Sequence, residues 1–140
     1  MDAIRDIRPS ALLVACCMAV LLGGLGEAHA ASSGPFRDVF VLDFQSEEPR
    51  NCTAADVDLD NERAAAFFRR ARRVSYRTIH DAYETFPCRA LGVMRLHGQH
   101  CTWSINAGLY ATVRCGGKEV HYACDECQDL LTPARPPVRP

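Results

Sequence analysis

Between Leu91 and Cys124 the chain reads LGVMRLHG-QHCTWSINAG-LYATVRCGG-KEVHYAC, four short runs separated by three turn signals. In the second run Cys101, Trp103 and Ile105 fall on one side, with His100, Thr102, Ser104 and Asn106 on the other. The third sets Ala111, Val113 and Cys115 against Tyr110, Thr112 and Arg114, and the fourth sets Val120, Tyr122 and Cys124 against Glu119, His121 and Ala123. Side chains repeat every second residue only in a strand, so this pattern demands strands with one buried and one wetter face.

The turns then set the register. Gly98-Gln99 suits a two-residue hairpin with glycine first and would place Leu96 opposite Cys101 and Met94 opposite Trp103. Gly116-Gly117 closes another hairpin, with Val113 opposite Val120 and Ala111 opposite Tyr122. A three-residue loop, Ala107-Gly108-Leu109, keeps Trp103 and Val113 on one face and sets Cys101 against Cys115. A two-residue loop would point Trp103 and Val113 to opposite faces, because a one-residue slip inverts a strand. The expected fold is a small single α+β domain: a four-stranded antiparallel meander, one main helix packed on one face, stabilised by disulfides.

Residues 1–30 read as a secretory signal peptide: Arg5 and Arg8, an apolar run from Ala11 to Leu25, then Ala28-His29-Ala30 before Ala31. The apolar run is short for a membrane span. Leu13-Val14-Ala15-Cys16 resembles a bacterial lipobox, but most of the apolar run follows Cys16 instead of preceding it. Membrane association is expected only if Cys16 is lipidated. Cleavage leaves residues 31–131 as the exported domain and residues 132–140, TPARPPVRP, as an extended Pro/Arg-rich tail. The exported part carries fourteen basic and fourteen acidic residues, so no global charge favours nucleic acid. Lys118 is the only lysine, a codon-level hint of a GC-rich bacterial genome.

Six cysteines follow the signal: Cys52, Cys88, Cys101, Cys115, Cys124 and Cys127. An even number in a small exported chain reads as a disulfide framework in an oxidising compartment, periplasmic or secreted. With Cys101 and Cys115 joined by the register, three pairings of the other four stay open. Cys52–Cys88 with Cys124–Cys127 is preferred, since a CxxC bridge needs no long-range geometry.

Ahead of the meander, Asp38 to Phe44 is apolar, β-branched and aromatic, a short strand that could join an edge of the sheet. Asp56 to Val74 carries a helix whose stripe is Ala64, Phe67, Phe68 and Ala71, capped by Asp58 or Asp60. Acidic residues crowd its start and Arg69, Arg70, Arg72 and Arg73 its end, the arrangement a helix dipole favours. Ser75 to Phe86 is either a second short helix capped by Ser75 or an extended segment.

Chemistry-bearing constellations are few. Cys124-Asp125-Glu126-Cys127 sits where redox CxxC motifs sit, but two acids between the cysteines oppose thiolate formation and no βαβ pattern surrounds it. Zinc at His121, Cys124 and Cys127, with Cys115, would lack a second close ligand pair. His80-Asp81, His97 and His100 accompany no serine in a nucleophile turn. No metal or cofactor is expected. Tyr110, Arg114 and His121 share the wetter sheet face and form a candidate interface. The expected function is a non-catalytic binder or inhibitor with a protein partner in the envelope or outside the cell. The alternative is a thiol–disulfide oxidoreductase using Cys124 and Cys127. The exported protein is expected to begin near Ala31; N-terminal sequencing of extracytoplasmic material checks this, and a lipid-modified Cys16 would overturn it.

Overall fold

The computed structural model of the protein describes residues 34–131. The expected signal peptide (residues 1–30), the Cys16 alternative and the Pro/Arg tail (residues 132–140) lie outside the described residues. Within them, β1 (Phe36–Ser46) leads through a 3-10 turn (Ala54–Val57) into α1 (Asn61–Arg70), followed by β2 (Arg72–Val74) and α2 (Tyr76–Ala82). The meander is β3 (Cys88–Leu96), β4 (Gln99–Asn106), β5 (Tyr110–Cys115) and β6 (Lys118–Ala123), and α3 (Gln128–Leu131) ends the domain. These strands make one antiparallel sheet of six, in the order β1-β3-β4-β5-β6-β2. The α+β class holds, but the sheet has two strands more than the expected meander of four.

Each added strand has a physical reason. β1 runs along β3 and buries Phe36 and Phe44 at least in part, and Val39 fully. Irregularities between Arg37 and Phe40 and between Val41 and Asp43 bend it, with Asp38 at φ 51. Aspartate tolerates that left-handed conformation better than most residues. β1 is an edge strand, and the Val41 N–H is taken by Asn61 Oδ1 at 2.8 Å, so the first residue of α1 blunts the edge. β2 was expected as the end of a helix reaching Val74. The helix instead stops at Arg70, where Ala71 is extended, and Arg72, Arg73 and Val74 pair with Ala123, Tyr122 and His121. Local propensity loses to the open edge of β6, which offers those backbone groups a full ladder. The helix also starts later than Asp56: Val57 and Leu59 are buried in the segment before it, and Asp60 is the N-cap, accepting from the Arg63 N–H at 2.8 Å.

Two hairpins form with the expected register: Cys101 faces Cys115, Trp103 faces Val113 and Val113 faces Val120. The first hairpin differs. Its turn is His97-Gly98, with φ of 49 and 81, so Leu96 faces Gln99, Met94 faces Cys101 and Gly92 faces Trp103. Two positive φ values define the mirror-image turn that matches strand twist, and histidine is among the residues that tolerate the first. The register moves by two residues, so every side chain keeps its face.

The buried face is centred on Phe68, whose ring lies within 5.4 Å of Phe36, 5.7 Å of Phe67 and 5.6 Å of Trp103, centroid to centroid. Trp103 lies flat enough on the sheet for its indole N–H to reach the Val93 carbonyl at 3.0 Å. Gly92 makes that possible, since a Cβ there would overlap both the Trp103 ring and the Phe40 carbonyl. α1 and α3 cover this face, and α2 lies on the other, where Ile79 is buried outside the main core.

Disulfides join Cys52 to Cys88, Cys101 to Cys115 and Cys124 to Cys127, with Cα separations of 5.7, 4.5 and 5.6 Å. Their sequence separations of 36, 14 and 3 rank what each removes from the unfolded chain's freedom. Replacing each pair by alanine is expected to cost roughly 4, 3 and 2 kcal/mol in that order. Urea unfolding of the three double variants checks the ranking, and a Cys124/Cys127 variant more damaged than the Cys52/Cys88 one would contradict it.

Candidate functional site

The sheet face turned away from α1 can be read off the cross-strand pairs. One row runs Leu91, Ser104, Thr112, His121; the row below it runs Arg89, Asn106, Tyr110. A third runs Phe40, Val93, Thr102, Arg114, Glu119. Alternation alone places Tyr110, Arg114 and His121 here together, and all three line one groove of ≈ 600 Å³ between α2 and the sheet.

Each is held by its neighbours. Arg114 Nε donates to Glu119 Oε2 at 2.7 Å. His121 is largely covered: its Nδ1 is 3.3 Å from Thr112 Oγ1, its Nε2 is 3.4 Å from Glu119 Oε1, and the Tyr76 ring leans over it at 5.6 Å. Tyr110 donates through its hydroxyl to Thr85 Oγ1 at 3.3 Å. The Thr112–His121–Glu119 contacts have the order of a hydroxyl, a base and a carboxylate. The cluster forms a polar cross-strand lattice on the floor of the groove.

The groove's lower wall depends on Asn106, the one buried polar side chain among the described residues, 5% exposed. Its Oδ1 accepts from the Phe86 N–H at 3.1 Å and the Gly108 N–H at 2.9 Å, and its Nδ2 donates to the Phe86 carbonyl at 2.8 Å. One amide thus serves three backbone groups and clamps the segment after α2 against the β4–β5 loop. A Cβ at Gly108 would strike the Glu84 carbonyl, which explains the glycine in that loop.

The CxxC segment is a strut. Cys124 and Cys127 are 2% and 0% exposed, and their disulfide closes the turn that follows β6. The Cys124 N–H donates to the Leu109 carbonyl at 2.9 Å. Asp125, one of the two acids that weighed against redox chemistry, accepts from the Tyr83 hydroxyl and from Arg72 Nε at 3.3 Å. Arg72 Nη2 also donates to the Tyr83 oxygen at 3.1 Å, so β2, the end of α2 and the CxxC loop are tied together. His80 lines the groove and its Nδ1 lies 2.9 Å from Asp81 Oδ1, while His97 occupies the first turn. Among the described residues no three His, Cys, Asp or Glu side chains gather as a metal site.

Several groove residues escaped the sequence reading. Tyr76, Arg89 and Leu91 line it, and Phe40 and Leu42 of β1 stand exposed beside it at 49% and 67%. The sequence marked residues 38–44 only as a short strand; Phe40 and Leu42 of that strand stand exposed, and no local signal marks them. No protein-family model matches the chain, and no curated protein or solved structure matches it.

The Tyr83–Asp125 contact has a pH signature. The Tyr83 hydrogen bond, aided by Arg72, holds the Asp125 carboxyl below its ordinary 3.8. Partial burial and then the Asp125 carboxylate push Tyr83 above its ordinary 10.0. The depressed acid contributes stability above its ordinary value, lost as pH falls through the folded one; the raised phenol contributes below 10.0, lost as pH rises further. In Tyr83→Phe the Asp125 titration followed by carbon NMR is expected to move up toward 3.8. Asp81, lowered by His80 and Arg77, should stay where it is. An unmoved Asp125 would show that Tyr83 does not hold it.

Proposed function

We propose that the protein is an exported, disulfide-stabilised interaction module that binds a protein partner on the open face of its sheet, as a binder or inhibitor. The observation that carries this is the groove itself: an open face beside α2 lined by Tyr110, Arg114 and the mostly covered His121, with Phe40 and Leu42 exposed on β1 at the sheet edge. Monomeric proteins seldom leave aromatic, aliphatic and arginine side chains together on an open surface without use. Three disulfides and two polar struts make the face rigid, which lowers the ordering cost of binding. Its setting is the oxidising space outside the cytoplasm, where such bridges persist. The alternative use of Cys124 and Cys127 in thiol–disulfide exchange finds less support, because both are buried.

The test is capture of envelope and medium proteins by immobilised protein, compared with Arg114→Glu/His121→Ala and with Arg69→Glu on the helical side as control. A discrete partner retained by wild type and by the control, and lost by the face variant at unchanged melting temperature, is the expected result. Equal capture by all three would reject the face as the binding surface. Catalysed insulin reduction abolished by Cys124→Ser would establish the oxidoreductase instead.

A further inference from the structure

The charges that line the groove beside α2 already have partners. Arg114 Nε donates to Glu119 Oε2 at 2.7 Å, and Arg89 Nη2 lies 3.3 Å from Glu47 Oε1. His80 Nδ1 is 2.9 Å from Asp81 Oδ1, and His121 Nε2 is 3.4 Å from Glu119 Oε1. An ionic ligand therefore meets no uncompensated charge. An apolar one fares no better, because Ile79 and Leu91 are the only aliphatic side chains among the described lining residues. What the lining offers is hydrogen bonding of both signs. The Ser104 hydroxyl bonds to no other described residue, and Gln45 is engaged only through its Oε1, which leaves its amide N–H groups free. Arg114 is held only through Nε, and Arg89 only through Nη2, so both keep further donors.

The floor consists of inner strands, β3 to β6, which pair on both sides, so no strand edge is open there for a peptide to add to. A ligand must instead be read by side chains. Two tyrosines border the floor. Tyr76, the first residue of α2, is 67% exposed, and its ring centroid lies 5.6 Å from that of His121. Tyr110 is half-buried and donates through its hydroxyl to Thr85 Oγ1 at 3.3 Å. The C–H face of a pyranose carries partial positive charge and settles on the negative face of such a ring. Its hydroxyls donate and accept at once, so an adjacent pair of them matches an arginine beside a glutamate. At ≈ 600 Å³ the groove falls inside the roughly 300–1,000 Å³ range of small-ligand sites.

We infer that the groove binds a neutral pyranose glycan, one ring against Tyr76 beside the Arg114–Glu119 pair and the next over Ser104, toward Gln45 and Arg89. The cross-strand row His121, Thr112, Ser104 sets this direction. Two inter-strand gaps of about 4.8 Å make that row roughly 10 Å long, more than one sugar ring covers. The inference deepens the interaction reading above: the glycan is the part of the partner that enters the groove.

An array of immobilised neutral, uronate, sialylated and sulfated glycans, probed with the purified, oxidised protein, tests it. Binding is expected among the neutral glycans and should not weaken as salt is raised. The best neutral oligosaccharide, titrated in free solution by calorimetry, should bind about tenfold more weakly to Tyr76→Ala and near-normally to Tyr76→Phe. Ser104→Ala, which removes a hydroxyl that holds nothing within the fold, should weaken it several-fold, and Arg69→Gln on the helical side should leave it unchanged. No binding on the array, binding confined to acidic glycans, or full affinity in Tyr76→Ala would overturn the inference. If a partner is captured through the open face and still binds after periodate has cleaved its vicinal diols, this inference falls and the interaction reading stands. If capture ignores the face and the array is blank, both fall.

Discussion

The domain depends on how closely Trp103 can lie against the sheet. Its ring covers Gly92 on the neighbouring strand, its N–H bonds to the Val93 carbonyl, and Phe68 packs on it edge to face at 5.6 Å. Buried aromatics prefer that edge-to-face geometry, and an indole needs a partner for its N–H when water is excluded. The two-residue choice of register in the first hairpin decides whether the arrangement exists at all, because only the turn at His97-Gly98 sets Gly92 opposite Trp103. The same core buries Phe67 and seats Phe36 against Tyr122 at 5.3 Å.

Outside this core the chain is held by cross-links and by polar struts. A domain of this size buries a modest core, so covalent constraint on the unfolded chain matters. Cys52–Cys88 closes the helical region, Cys101–Cys115 locks the centre of the meander, and Cys124–Cys127 shapes the exit from β6. Asn106 and the Arg72–Tyr83–Asp125 set hold α2 and its flanking segments on the outer side, where few apolar contacts do so. These struts leave the middle of the outer face open while defining its walls.

The outer face combines polar groups engaged with one another and side chains left open to solvent. Its histidine is covered and engaged on both nitrogens, its hydroxyls sit mid-strand, and its cysteine motif is sealed in the core. Arginine donors, an exposed tyrosine and two exposed apolar side chains are what it presents to solvent.

Period-two alternation from Leu91 to Cys124, with its glycine turns, was enough to assign the meander, the buried side of Trp103 and the Cys101–Cys115 contact, because side-chain direction in a strand is a local property. It also put Tyr110, Arg114 and His121 on one face. Helical spacing likewise identified Phe67 and Phe68 as the buried stripe. Tertiary structure alone decided where α1 stops, since the competing ladder on β6 lies some fifty residues away in sequence. It also decided that Phe40 and Leu42 stand exposed on β1, a strand whose pairing with β3 is irregular on either side of Phe40 and Val41. The walls of the groove belong to the same class: Arg89 and Leu91 of β3 line it with Tyr76 and His121 only once β3 and β6 lie in one sheet and α2 sits on its outer face. Periodicity encodes the direction of a side chain; which distant neighbour it meets is settled only when the whole sheet closes on its core.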